Sequence, residues 1–362
     1  MWAPTTDQIL DLDGVSRRVD RFRFSLCDRA WRPIGELHPD RAGSVPQIEV
    51  DTSATTSRRL RQMRLLADEA GDIDPIGDRL RVWMVLQNGA EFLLGSFLWA
   101  DASRPVRSWG TELSSDLVDL GFVLDQPSTE AFGWGRGAQI GLIILFLTMR
   151  AGFTLGDISP RSESASTKTL AEPVAWTPGT TWAAMLEELS RLIGWAPPWF
   201  DRYGQMRLGR LPDPDVDQPT VPAYGPGTRV IADSILRSDD ILTAPNDFAV
   251  TDSGTENMII GRYQVPAAAP HSYQRRGFRV GLVESSQGIV SKQQADIAAQ
   301  QLAKTKGTSF RWVSWSSTAD PRHEMWDIVD VFGVRSLETR WSLQLRSGGE
   351  MTHTVRQTGF EL

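Results

Sequence analysis

The run Gly133-Trp134-Gly135-Arg136-Gly137-Ala138 has the glycine spacing of a loop that lets backbone approach a dinucleotide pyrophosphate, and it leads toward a helix. That chemistry needs a strand directly before the glycines, and Asp125 to Thr129, with Pro127, reads as a turn. The motif therefore reads as a loop entering a helix. In LPDPDVDQ, Asp213, Asp215 and Asp217 occupy the first three ligand positions of a calcium loop. Gln218 stands where the sharp turn needs Gly and Tyr224 where the bidentate Glu belongs, so these acids read as solvated linker.

His323-Glu324 in PRHEMWD opens like HExxH, but the second His is missing and the setting reads as β. A zinc protease is excluded on that motif. His38, His271 and His353 are scattered, with no acid and nucleophile at a recognised spacing, and no GxSxG elbow exists. They read as surface or interface residues. Cys27, the single cysteine, cannot form an internal disulfide or supply a cysteine zinc site, and it reads as a small filler. Arg58, Arg59, Arg61 and Arg64 could meet phosphate. In a chain of net charge −7 they read instead as a solvated or subunit-facing strand edge. The residues thus predict no catalytic, cofactor-binding or metal site.

The chain has 362 residues, which predicts two or three domains, and its 41% hydrophobic content with 14 Trp and 14 Phe is enough for real cores. Lys and Arg number 38 against 45 Asp and Glu, so tight nonspecific nucleic-acid binding is disfavoured. Only four of the 38 are Lys, an imbalance typical of a GC-rich coding sequence. The first ten residues carry Asp7 and no basic run, so no secretory signal is expected. Ile140 to Met149 is half a membrane span, which predicts a soluble chain without a membrane-spanning segment.

Around these residues the elements are mostly strands. In Asp20 to Asp28, Phe22, Phe24 and Leu26 alternate with Arg21, Arg23, Ser25 and Cys27, which puts Cys27 on the outer face. Leu80 to Leu86 and Phe92 to Trp99 flank Asn88-Gly89, a strong hairpin signal. Ile48 to Asp51 and the segment Ser57 to Leu66 add another pair. Helical spacing appears at Trp182, Met185, Leu186, Leu189 and Ile193, opened by Pro178 to Thr180 and closed by Gly194. A second helix is expected over Arg136 to Ala151, buried in its apolar second half. Leu211 to Gly227, with five prolines, reads as an extended connection.

Strands resume at Asp247 to Thr251, Met258 to Val265 and Arg276 to Val283. Ser291 and Gln294 form a capping box for a helix with Ala295, Ala298, Ala299 and Leu302 on one face and Gly307 as its stop. Phe310 to Ser317, Trp326 to Val331 and a last hairpin around Gly348-Gly349 follow. In that hairpin Trp341, Leu343, Leu345, Met351 and Val355 share a face.

The order of features resembles the hub proteins of long-tailed bacteriophage tail tips. The resemblance lies in PQIEVDTSATTSRRLRQMRLL, the DIDPIGDRLRVWMVL strand with its Asn88-Gly89 turn, and FLLGSFLWA. Two later blocks agree: WTPGTTWAAMLEELSRLIGWAPPWFDRYGQMRL, and NDFAVTDSG through ADPRHEMWDIVDVF. Together they cover most of the chain in order.

The resemblance to this tail hub and baseplate hub family, which includes tail-associated lysins, implies a mainly β fold with α+β insertions. Two antiparallel β-barrels would each carry an inserted subdomain. The first barrel would be residues 1–115 plus 204–235, with 116–203 inserted; the second would be 236–288 plus 326–362, with the helix-containing 289–325 inserted. It implies a homotrimer presenting a quasi-sixfold surface to a tail tube and a distal tail ring. The implied function is a structural virion protein at the tail tip that closes the tube and organises host attachment and DNA exit. Partners would be the distal tail protein ring, tail tube protein, tape measure protein and other tail-tip or fibre proteins, with DNA passing through unbound. The chain stops after its final hairpin, so any hydrolase activity is expected in another chain. The arginine bias resembles minor tail proteins of siphophages that infect actinobacteria. Rival readings are a receptor- or carbohydrate-binding tail component, a distal tail ring protein, and a cell-wall hydrolase, which would need clustered His, Glu or Cys.

Overall fold

A computed structural model describes residues 21–357, except 67, 69–72, 105, 108–109, 161, 164–166, 215, 222, 226–229, 232–233, 241, 253–258, 287–288, 290 and 306–310. The N-terminal segment read for a signal, Asp215, and Gly307 lie outside the described residues. So do Met258 and Phe310, the first residues of two expected strands.

The first β region contains β1 (Arg21–Cys27), β2 (Pro33–Leu37), β3 (Gln47–Asp51), β4 (Arg58–Leu65), β5 (Arg79–Val85), β6 (Glu91–Trp99) and β7 (Leu113–Val118). The hairpin at Asn88-Gly89 forms as its sequence predicts. β5 and β6 pair antiparallel, Leu86 and Ala90 close the turn, and Gly89 takes φ 82°, which only glycine adopts freely.

Toward the C-terminus come β8 (Phe132–Trp134), α1 (Ile140–Arg150), β9 (Val174–Trp176), α2 (Trp182–Ile193), β10 (Trp199–Phe200) and β11 (Met206–Arg207). They are followed by β12 (Leu236–Asp239), β13 (Asp247–Asp252), β14 (Ile260–Gln264), β15 (Gly281–Ser286) and α3 (Lys292–Thr305). The described residues end with β16 (Arg311–Thr318), β17 (Ile328–Val331), β18 (Val334–Gln344) and β19 (Glu350–Gln357).

The two β regions join into one sheet. Its order is β12-β16-β19-β18-β3-β4-β7-β6-β5-β1-β2, with β17 on β18. The seam is the antiparallel pair β18–β3, where Trp341 faces Val50 and Leu343 faces Ile48. Every pairing in this sheet is antiparallel, and among the described residues the path ends at β12 and β2 without closing. The fold is mainly β. One apolar core runs beneath both regions, from Phe24, Ile48, Leu60 and Phe97 to Leu337, Trp341, Leu343 and Met351. β4, expected as an edge, lies inside the sheet between β3 and β7. Its Arg58 is buried; Arg61 pairs with Glu49 and Asp116, and Arg64 is exposed.

A second core joins α1 and α2 to the layer formed by α3 and a three-stranded sheet ordered β14-β13-β15. These three strands, expected in the second barrel, stand apart from the large sheet. The reason is α3: Gly261 in β14 brings backbone so near that a Cβ there would lie 2.0 Å from the Ala295 carbonyl carbon. The helix covers this small sheet with Ala295, Ala298, Ala299 and Leu302, all buried.

α2 forms as its spacing predicts, with Met185, Leu186, Leu189 and Ile193 buried. Thr181 rather than Thr180 caps it, accepting from Ala184 N, and Gly194 ends it in the left-handed conformation. α1 is shorter than its pattern suggested because residues 132–134 pair with β9 and Gly137 turns the chain at φ 85°. Nor is it buried all round: Leu142, Phe146 and Met149 are 58%, 46% and 56% exposed. Cys27 is also a correction, being wholly buried rather than on an outer face. Arg81 stands opposite Ser25 on the same side of β1, stacks on Trp31 and covers that side. Burial pushes the Cys27 thiol pKa up, against the nearby Arg81.

Candidate functional site

The loop between β16 and β17, residues 319–327, carries the PRHEMWD motif and is where the chain gathers its buried charge. His323 and Glu324 point into different networks. Trp326 adopts a left-handed φ of 63°, a strained conformation for a bulky residue that the surrounding packing must hold.

Glu324 is clamped between two guanidiniums. One oxygen pairs with Arg58 of β4; the other accepts from Arg202 Nε at 2.8 Å and Arg202 N at 3.1 Å. Arg202 also donates to the carbonyls of Leu93, Pro321, Arg322 and His323, so one side chain fastens the whole loop. Burial pushes the Glu324 carboxyl up, but Arg58 and Arg202 overcome it and hold the pKa at about 2. Asp119 completes this side, accepting from Ser57 Oγ, Arg58 N and Gly121 N. Its burial outweighs Arg58 and those bonds, raising its pKa to about 6.

On the other side of the loop, His323 and His353 both meet Glu338. His323 Nδ1 lies 2.6 Å from Oε2 and His353 Nδ1 2.7 Å from Oε1. His323 Nε2 is 2.6 Å from Tyr224 Oη, and His353 Nε2 is 2.8 Å from Ser317 Oγ. His353 stacks on Trp315 at 4.8 Å. Burial raises the Glu338 pKa, opposed by His353, and lowers those of both histidines. Asp327, which accepts from Thr220 Oγ1 and Glu324 N, is pushed by burial to about 7. Asp320 holds Arg322 through several short contacts.

This cluster corrects the expectation that the histidines are scattered on the surface without acids. His323, His353 and His271 are buried; His38 is exposed. The signal for His353 was present, because it alternates with Met351 and Val355, both inward. Glu338 escaped because a β-bulge between Glu338 and Arg340 shifts the register and turns it inward, where plain alternation from Trp341 puts it outside. Tyr224 comes from the proline-rich connection. Among its described residues that segment turns at Asp213 to Asp217 and is packed at Tyr224, which is buried and exchanges backbone bonds with Asp330 and Phe332.

The other sequence motifs assemble no site. The glycine run starts at the end of β8, which pairs antiparallel with β9, and turns at Gly137, so no parallel strand–helix unit surrounds it. Asp217 makes a bidentate pair with Arg210 and Asp213 pairs with Lys304, so these acids face bases. Beside the loop, a cleft of about 800 Å³ is lined by Trp83, Trp199, Tyr203, Arg202, Glu324 and Trp326, among others.

Among solved structures, the chain is similar to a tail protein from Neisseria meningitidis, with a TM-score of 0.62 and 12% identity over 94% of this chain and 97% of that one. The 43 kDa tail protein of prophage MuSo2 from Shewanella oneidensis gives 0.61 and 12%, covering 92% and 98%. The prophage tail protein gp18 from Listeria monocytogenes gives 0.55 and 11%, covering 93% and 95%. No protein-family model matches the chain, and no curated protein matches it. At this identity the likeness establishes the fold: the chain has the architecture of prophage tail proteins. No helix of the described residues is long and apolar enough to cross a membrane.

Proposed function

We propose that the chain is a structural component of a phage tail, the hub at the tail tip, acting as a homotrimer that closes the tube and surrounds the path of DNA exit. The observation that carries this reading is the end-to-end fold match: the Neisseria tail protein is covered over 97% of its own length, leaving little of either chain over. On this reading each β region derives from one barrel unit, the first from residues 1–115 and 204–235. The second would combine β12 with residues 311–357, with 116–203 and 247–305 as insertions. Three copies would then offer six related β units to a sixfold tube. The net charge of −7 suits a channel that must let DNA pass. The distal tail ring, tube, tape measure and fibre proteins are the proposed partners, and no catalytic role is proposed for the chain.

Native mass spectrometry of the purified chain and symmetry-resolved imaging of particles test the reading. Three copies on the tail axis are expected. Six copies would favour a distal tail ring, and one an isolated tip protein.

The cleft favours a second reading, a carbohydrate-contacting tail component, because sugars stack on aromatic faces beside charged groups and Tyr203 is exposed at its edge. Calorimetric titration with host cell-wall glycan separates the two: millimolar or tighter binding that Tyr203→Ala abolishes would support the second.

A further inference from the structure

Glu338 enters the interior between two imidazoles that both present Nδ1 to it, and each ring is oriented through its other nitrogen, by Tyr224 or by Ser317. Proteins fix metal-ligating imidazoles in this way. The hydroxyl of Ser317 has one proton and two acceptors in reach, the Thr318 carbonyl at 2.9 Å and His353 Nε2 at 2.8 Å. With that proton on the carbonyl, the hydroxyl accepts from His353 Nε2–H, and the Nδ1 lone pair of a neutral His353 faces a carboxylate oxygen at 2.7 Å. Two acceptors that close repel one another unless a cation lies between them.

A proton can fill that place, and so can a metal ion. The donor set favours the metal. Asp320, Glu324 and Asp327 on the loop and Glu338 beside it are buried or half-buried carboxylates. Asp320 has Arg322, and Glu324 has Arg58 and Arg202. Glu338 and Asp327 have no guanidinium or ammonium at ion-pair distance among the described residues. A buried carboxylate with no fixed cation takes up a proton or another cation, and Glu338 has an imidazole on each side to share one with.

We infer that His323, Glu338 and His353 form a divalent-cation site, and that zinc is the ion it fits. The three side chains bring their ligand atoms within 4.8 Å of one another. Two imidazole nitrogens and two carboxylate oxygens supply four donors of the types zinc prefers. The sequence reading expected no metal because the three ligands come from a loop and two strands, at no recognised spacing. The ion would tie the 319–327 loop to β18 and β19, beneath the same loop that Arg202 clamps, and so would be structural. This inference is independent of the proposed tail role.

Full-length chain purified without a metal-affinity tag tests it. Elemental analysis should find one zinc per chain, and the melting temperature should fall by several degrees in EDTA and return when zinc is added back. Cobalt substitution should give the visible absorption of a four-coordinate nitrogen–oxygen site. His353→Gln and Glu338→Gln should lose stoichiometric binding, and His38→Ala should keep it. If either cluster variant fails to fold, the stoichiometry and cobalt spectrum of the unaltered chain decide alone. Substoichiometric metal, together with a melting temperature indifferent to both EDTA and added zinc, would overturn the inference and leave a proton between His353 and Glu338.

Discussion

Arg58 is almost wholly buried and ends with Nε and Nη1 unpartnered, so its charge depends on Glu324. Glu324→Ala would strand two buried guanidiniums, Arg58 and Arg202, and should cost about 3 to 5 kcal/mol, the usual result of removing one partner from a buried pair. Urea unfolding measures it; a loss below about 1 kcal/mol would mean that water reaches the pair as freely as on a surface. Asp119, on the same network, has a pKa raised to about 6. Its folded form holds a proton that the unfolded chain has already lost. The stability this contributes is full below the unfolded value of 3.8 and disappears as pH rises through about 6. Stability should therefore fall between roughly pH 4 and pH 6, and Asp119→Asn should flatten that limb whatever it costs overall. An unchanged slope in the variant would assign the pH dependence to another group.

At the scale of elements, Leu186 and Leu189 are completely buried where α2 meets α1, so Leu186→Ala should cost about 2 to 5 kcal/mol. Limited proteolysis should open the variant within 116–203 before the large sheet, since that sheet packs on a different core. Cleavage first in the β5–β6 hairpin would show that the helix layer supports the sheet. α2 and the β5–β6 hairpin were legible in the sequence because their signals are local: a cap, a 3.6-residue apolar period, a glycine at the turn. The exposed stripe of α1 was not legible. Composition shows Ile140 to Met149 as one apolar run, and only tertiary packing reveals that Leu142, Phe146 and Met149 stay about half exposed, although Phe146 meets Phe132 and Trp134 of β8 edge-on. The His323, Glu338 and His353 cluster was hidden for a related reason, since strand pairing and one bulge bring together residues 15 apart in two steps.

At the scale of the whole molecule, the two β regions read from the sequence as separate barrels, yet they are stitched at two levels. β18 pairs with β3 over five residues, from Arg340–Asp51 to Gln344–Gln47, and the core beneath that seam draws Ile48 and Leu60 from one region and Leu343 and Met351 from the other. Above it, Glu324 of the second region holds Arg58 of the first. Each region alone would expose half of that core and the unpaired backbone of β3 or β18. The expectation is therefore one cooperative thermal transition for the intact chain. Residues 21–235 and 236–357 expressed separately should each fail to fold, and should recover the native circular dichroism only when mixed. The comparison is direct, because native mass spectrometry of the mixture reports pairing while calorimetry reports cooperativity. Two resolved transitions, or a half that melts sharply by itself, would mean that the β3–β18 seam is a docking contact between independent domains. The buried Arg58–Glu324 pair would then be an interface contact rather than part of one core.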